Sequence, residues 1–175
     1  MKMQTSVDHP VGSILLSYVL VLIAAAYFSS EVSGGQKSTG FSGSDKLAIE
    51  QMLERYKQAF QMKDYTKLRE YVQSPFVTFP DVPKIYESMD AVMNRYRDNR
   101  EPLDERNYDN TQWGKTRITV LAADKALINK TFRRYKKDGS LLEEGASVYL
   151  VSKSSGTWKI YGSLSQEPTY FDKSF

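Results

Sequence analysis

Polar and apolar positions change period once along this chain, and the change separates a helical half from a strand-forming half. From Asp45 onward, Ile49, Met52, Leu53, Tyr56 and Phe60 recur at spacings of three and four, with Glu50, Glu54, Lys57 and Gln58 between them. That is one apolar stripe on a helix, and Ser44 or Asp45 can cap its start. Asp64 has the chemistry of an N-cap for a second, shorter helix on which Tyr65, Leu68, Tyr71 and Val72 share a face. "SPFVTFP" then reads as a short strand bracketed by Pro75 and Pro80. Proline gives no N–H to a ladder, so the strand is expected to be an edge or irregular one. Ser88 caps a third helix, which presents Met89, Val92, Met93 and Tyr96 and is expected to end near Asn99. The polar segment 101–115, with Pro102 and Gly114, reads mostly as loop.

Beyond Thr116 the period is that of strands. "TRITVLA", "KALINKTFRRY", "EEGASVYLVS" and "TWKIYGSL" are separated by "ADK", "KKDGS" and "KSSG", each short enough for an antiparallel hairpin. Three helices followed by such a meander predict an α+β domain, with the helices packed on one face of a curved antiparallel sheet.

The turns set the register. Asp138-Gly139 predicts a two-residue type I′ turn, which takes positive φ at both central positions. Counting outward places Arg134 opposite Glu143 and Arg133 opposite Glu144, on opposite faces of the ribbon. The basic cluster "FRRYKK" then forms cross-strand ion pairs of roughly 0.2–1 kcal/mol each instead of a nucleic-acid surface. A three-residue "SSG" loop with Gly156 left-handed adds Trp158 and Ile160 to the face that carries Leu127, Asn129, Thr131, Arg133, Glu144, Ala146, Val148 and Leu150. This face is expected to be the core beneath the helices. The other face holds Ile128, Phe132, Tyr149, Val151 and Tyr161. It is too apolar for water, so Ile128, Phe132, Tyr149 and Tyr161 are candidates for a partner or homodimer interface. On the core face, the polar group Asn129, Thr131, Arg133 and Glu144 has two readings. Either it reaches water at the rim, or it lines a ligand pocket walled by Tyr56, Phe60, Tyr71, Phe79, Tyr96 and Trp113. One β-bulge would exchange Arg133 for Arg134 and invert the assignment.

Ahead of the domain, "VGSILLSYVLVLIAAAYF" (Val11–Phe28) is 18 residues without a charge. Residues 1–28 read either as a cleaved signal peptide, with Ala24-Ala25-Ala26 at the cleavage site, or as an uncleaved anchor spanning about 27 Å. Under both readings the remainder lies outside the cytoplasm, periplasmic or tethered to the outer side of the inner membrane, with Lys2 marking the inner end. Residues 29–44 are Gly/Ser-rich and read as a flexible linker, which leaves 45–171 for the folded domain.

Composition narrows the chemistry. The net charge of +3 is too small to imply a nucleic-acid partner. With no cysteine, disulfides, thiolate metal sites and cysteine nucleophiles are excluded. The single histidine, His9, precedes the apolar run, so no histidine base or ligand exists within the domain. Neither a carboxylate cluster with metal-ligand spacing nor a glycine-rich phosphate loop is present, so no metal and no cofactor is expected.

The helix "AIEQMLERYKQAFQMKDYTKL", the strand "FVTFP", a third helix, and the meander from "TRITVLA" to "TWKIYG" together resemble the SnoaL-like branch of the nuclear transport factor 2 superfamily. Most diagnostic is "YLVSKSSGTWKI", similar to that family's closing hairpin with Gly-x-Trp-Lys-Ile. The likeness covers about Asp45–Ser163. It implies a cone-shaped half-barrel, with three N-terminal helices packed on a strongly curved sheet, a cone that often holds a small apolar ligand, and a convex face that often dimerises. The family's enzymes commonly use an Asp–His pair or a carboxylate with tyrosine donors. Lack of a histidine puts the first out of reach. For the second, Asp64, Asp81 and Glu144 are the candidate bases and Tyr56, Tyr71 or Tyr96 the donors. Each carboxylate also has an ordinary structural role, as helix cap, loop residue and partner of Arg133 respectively. The expected function is an exported or membrane-tethered module that binds a small, largely apolar ligand without catalysis. An isomerase, hydratase or cyclase with a carboxylate base, and a membrane-anchored assembly protein, are the alternatives.

Overall fold

A computed structural model describes residues 40–171 of the chain. The apolar run Val11–Phe28 and His9 lie outside these residues, and no helix among those described is long and apolar enough to cross a membrane.

Helix α1 spans Gly43–Gln61 and buries Ile49, Met52, Leu53 and Tyr56, the stripe expected from the sequence. Its N-cap is Ser42, slightly ahead of the expected Ser44 or Asp45. The Ser42 hydroxyl accepts the Asp45 N–H while the Asp45 carboxylate accepts the Ser42 N–H, a reciprocal capping box. Helix α2, Tyr65–Leu68, is capped by Asp64, which accepts the Lys67 N–H at 2.9 Å. Helix α3 begins after its cap Ser88, as the sequence indicates, but runs from Met89 to Glu105 through Pro102. The segment read as loop is therefore helix and strand. Arg100 explains much of this. Its side chain is 5% exposed, pairs with Asp104, lies 4.3 Å over the Tyr108 ring and donates to the Gln61 carbonyl at 3.5 Å. A residue of polar type thus serves as core, and Leu103 and Tyr108 are buried beside it in the chain.

Six strands form one sheet: β1 Val72–Thr78, β2 Lys84–Tyr86, β3 Tyr108–Ala122, β4 Lys125–Lys136, β5 Leu141–Ser154 and β6 Thr157–Gln166. Their order is β2-β1-β6-β5-β4-β3. All pairs are antiparallel except β1 with β6, so the sheet is mixed where a purely antiparallel one was expected. Strand β1 is irregular, with a register shift between Val72 and Val77, but it lies inside the sheet between β2 and β6. Three register shifts along β3 and β4 accompany the curvature that bulges impose.

Two turns differ from the counted ones, and they decide which faces are buried. Around Asp138, only Gly139 has positive φ (82°). The Lys136 N–H reaches the Ser140 carbonyl and the Gly139 N–H reaches that of Lys136, each at 2.9 Å, which closes a three-residue loop. Pairing slips by one residue, so Tyr135 faces Leu141. A shift between Tyr135 and Arg134 leaves Leu142 unopposed and restores Arg134–Glu143 and Arg133–Glu144 as counted.

The other turn is compensated only beyond Ile160, where a shift between Val151 and Leu150 leaves Tyr161 unopposed. Ser155 and Gly156 both have positive φ (51° and 79°), giving a two-residue turn between Ser154 and Thr157 in place of the three-residue loop. Val151, not Leu150, then faces Ile160. Because side chains alternate, a one-residue slip exchanges the faces. Ile128, Tyr149 and Val151 are buried with Trp158 and Ile160 against Ile49, Leu53, Phe76, Val92 and Met93 in one core. Ile128 and Tyr149, expected at a partner interface, are thus interior residues. Phe132 and Tyr161, the other two, are half-buried. Asn129, Thr131, Arg133 and Glu144 take the convex side.

Candidate functional site

The concave side of the sheet, α1, α3 and the β1–β2 connection enclose a cavity of about 620 Å³ that opens to solvent. Its wall is aromatic. Tyr56, Phe60, Tyr96, Trp113 and Tyr149 line it, and their rings meet edge to face at 5.8–6.3 Å. That geometry places positive ring edges against negative ring faces and fixes the side chains in relation to one another. Burial pushes the hydroxyls of Tyr56, Tyr96 and Tyr149 above the ordinary phenol range. All three stay protonated and can donate hydrogen bonds near neutral pH.

The remaining lining is strongly basic. Lys57, Lys84, Arg95, Arg106 and Arg134 face two carboxylates, Asp98 and Glu143. Arg95, from α3, lies 5.0 Å from the Phe76 and Tyr96 ring centres and 5.9 Å from that of Tyr86, and donates to Ser163 Oγ at 3.2 Å. No carboxylate pairs with it among the described residues. Arg134 stands 4.7 Å over the Phe132 ring and bonds Glu143 Oε1 at 2.5 Å, while Arg106 bonds Glu143 Oε2 at 2.7 Å. Burial works to raise the Glu143 carboxyl, but the two guanidinium groups outweigh it and hold the group below the usual carboxylate range. Glu143 is therefore a charged, clamped partner and not a free base.

Of the residues the sequence placed in a pocket, Tyr56, Phe60, Phe79, Tyr96 and Trp113 line this cavity. Tyr71 is buried elsewhere, beside a groove that also contains Asp45, Arg55 and Trp158. Asn129, Thr131, Arg133 and Glu144 are absent from the lining for the reason given above: the β5–β6 turn is one residue shorter than counted. Arg133 and Glu144 pair on the surface at 3.3 Å, with side chains 64% and 55% exposed. Thr131 Oγ1 instead accepts the Lys115 N–H at 2.8 Å. Arg134 and Glu143, their neighbours, occupy the inner positions. The candidate bases fare alike. Asp64 caps α2, Asp81 is exposed in the β1–β2 connection and Glu144 faces outward, so none lines the cavity. Arg95, Arg106, Ser147 and Ser163 carry no signal in the periodic pattern, because each sits at an unremarkable polar position. Among the described residues, no group of three or more His, Cys, Asp or Glu could hold a metal ion.

Three helices set into the concave side of a bent, unclosed six-stranded sheet, with a cavity between them, define the cone fold of nuclear transport factor 2-like proteins. Residues 44–168 match the family described as NTF2-like protein (DUF6841), and the chain belongs to that family. Solved structures share the architecture. A protein of unknown function with a cystatin-like fold from Nostoc punctiforme aligns with TM-score 0.60 at 13% identity, covering 74% of this chain and 95% of its own. An NTF2-like protein of unknown function from Shewanella oneidensis gives 0.55 at 16%, covering 69% and 97%. A ketosteroid isomerase-like protein from Erwinia carotovora gives 0.54 at 16%, covering 73% and 98%. At such identities the likeness is one of fold. No curated protein matches the chain.

Proposed function

We propose that the protein is a binding module that holds a small molecule with an apolar body inside its cone, and that Val11–Phe28 delivers it to the outside of the cytoplasm. The observation that carries the binding reading is the aromatic-walled cavity of about 620 Å³, a size that suits a small ligand. Catalysis by a carboxylate base finds little support in the lining. Glu143 is clamped by two arginines, and the other lining carboxylate, Asp98, is exposed on α3. The isomerase-type alternative keeps one supporting feature, the three protonated tyrosine hydroxyls that could polarise a carbonyl. An assembly role drew on an apolar convex face, and Ile128, Tyr149 and Val151, which supplied much of that surface, belong to the chain's own core.

Native mass spectrometry of the full chain purified from its own cells tests the reading. A retained small-molecule mass is expected. Ser147→Trp, which fills the cavity from β5, is expected to abolish it. Empty protein in both cases would overturn the proposal, and a retained mass that turns over into a second species would favour the enzyme.

A further inference from the structure

We infer that the ligand is a small apolar acid, its carboxylate or similar anionic head seated on Arg95 and its body against Tyr56, Phe60 and Tyr96. This rests on the cavity-binding reading and specifies the chemistry of the occupant. The first support is charge. Five cationic side chains and two carboxylates line the cavity. One of those carboxylates, Glu143, is shared between Arg106 and Arg134, so a single negative charge serves two positive ones. Lys57 has its own partner, Glu54, at 2.6 Å. Arg95 has none among the described residues.

The second support is how Arg95 is held. Three aromatic rings surround it, and its five N–H donors meet only neutral hydroxyls, that of Ser163 at 3.2 Å and that of Tyr96. A guanidinium fixed against ring faces is a preorganised fork for a carboxylate, whose two oxygens it can bind together. Charge withdrawn from water without a counter-ion is costly, and an acidic ligand supplies the counter-ion.

The third support is independent of Arg95. Trp113 Nε1 and Arg134 Nε are buried without hydrogen-bond partners, and both residues line this cavity. Buried polar groups are normally satisfied. Indole and guanidinium nitrogens only donate, so the lining as a whole is short of acceptors. A cationic ligand would meet like charge, and a neutral hydrocarbon would leave both the charge and the donors unanswered.

The test uses an isosteric pair, 2-naphthoate and 2-naphthamide, each titrated calorimetrically into the full-length protein. Naphthoate is expected to bind about tenfold tighter or more, and raising the salt from about 0.05 to 0.5 M should shrink that preference. Arg95→Met, which keeps an apolar stem, should erase the preference while leaving naphthamide affinity within about twofold. Arg97→Met, two residues along on the exposed side of α3, should leave it intact. Should Arg95→Met fail to fold, the salt dependence of the wild type still decides. Equal binding of both probes would overturn the acid-head inference and leave the cavity reading standing. Binding of neither would remove the cavity reading and this inference with it. Preference retained by a folded Arg95→Met protein would remove Arg95 as the seat.

Discussion

Asp45 receives donors from two distant parts of the chain. Its carboxylate accepts the Ser42 N–H at 3.0 Å and the Ser42 hydroxyl at 2.8 Å, closing the start of α1. It also accepts Lys153 Nζ at 2.8 Å and Trp158 Nε1 at 3.1 Å, from the β5–β6 hairpin. One side chain thus ties the first helix to the last two strands. The lysine contact first, then Ser42 and Trp158, hold this carboxyl well below the usual range. For an acid whose folded pKa is depressed, the unfolded chain takes up the proton first. The stabilisation is therefore present above the ordinary carboxylate pKa of about 4 and is lost as pH falls from there toward the folded value. Thermal unfolding between pH 3 and 7 should show Asp45→Asn melting below the wild type at neutral pH. The gap should narrow as the pH drops below about 4, because the variant has no proton to gain at this position. A gap independent of pH would mean that the contact acts through shape and not through charge.

Elements were legible in the sequence where pattern and packing agreed, and illegible where a residue acted against its type. The stripe on α1, the caps at Asp64 and Ser88, the second half of β3 and the strands β4 to β6 follow from spacing and capping chemistry. The last turns of α3 do not, because Arg100 is charged by type and buried in fact. Replacing Arg100 with Ala removes its stacking on Tyr108, its bond to the end of α1 and its ion pair with half-exposed Asp104. Urea unfolding should show a loss of about 1–3 kcal/mol, against about 0.5 kcal/mol or less for Arg97→Ala on the exposed side. The hairpins failed for a different reason. Ser155 at positive φ is unusual for a residue with a side chain, so counting favoured a loop that used Gly156 alone. That single residue reversed the faces of β4 and β5, turned Tyr149 inward and set Arg134 in place of Arg133 beside the cavity.

For the molecule as a whole, fold and site were legible to different degrees because they depend on different precision. The order of helices and strands survives a one-residue slip, and so does an aromatic cavity wall drawn largely from α1, α3 and β3. The polar lining does not survive it, since the slip exchanges Arg133 and Glu144 for Arg134 and Glu143. The other four lining cations, Lys57, Lys84, Arg95 and Arg106, come from polar positions outside the slipped strands. The proposed delivery of the domain outside the cytoplasm rests on a property insensitive to register, the 18 uncharged residues Val11–Phe28. On that proposal the run acts as an export signal whether it is afterwards cleaved or kept. A reporter enzyme that is active only outside the cytoplasm, fused after Phe175, should therefore be active in intact cells. Placing charges within the run by Leu16→Arg with Leu20→Arg should abolish that activity, since each arginine at the centre of such a segment costs about 2.5–3.5 kcal/mol on insertion. The same fusion separates the two fates of the run. Cleavage after Ala26 would release a soluble product that begins at Tyr27, whereas an anchor would leave the full-length chain in alkaline-washed membranes. Activity unaffected by the two arginines would show that the run is not what carries the protein across.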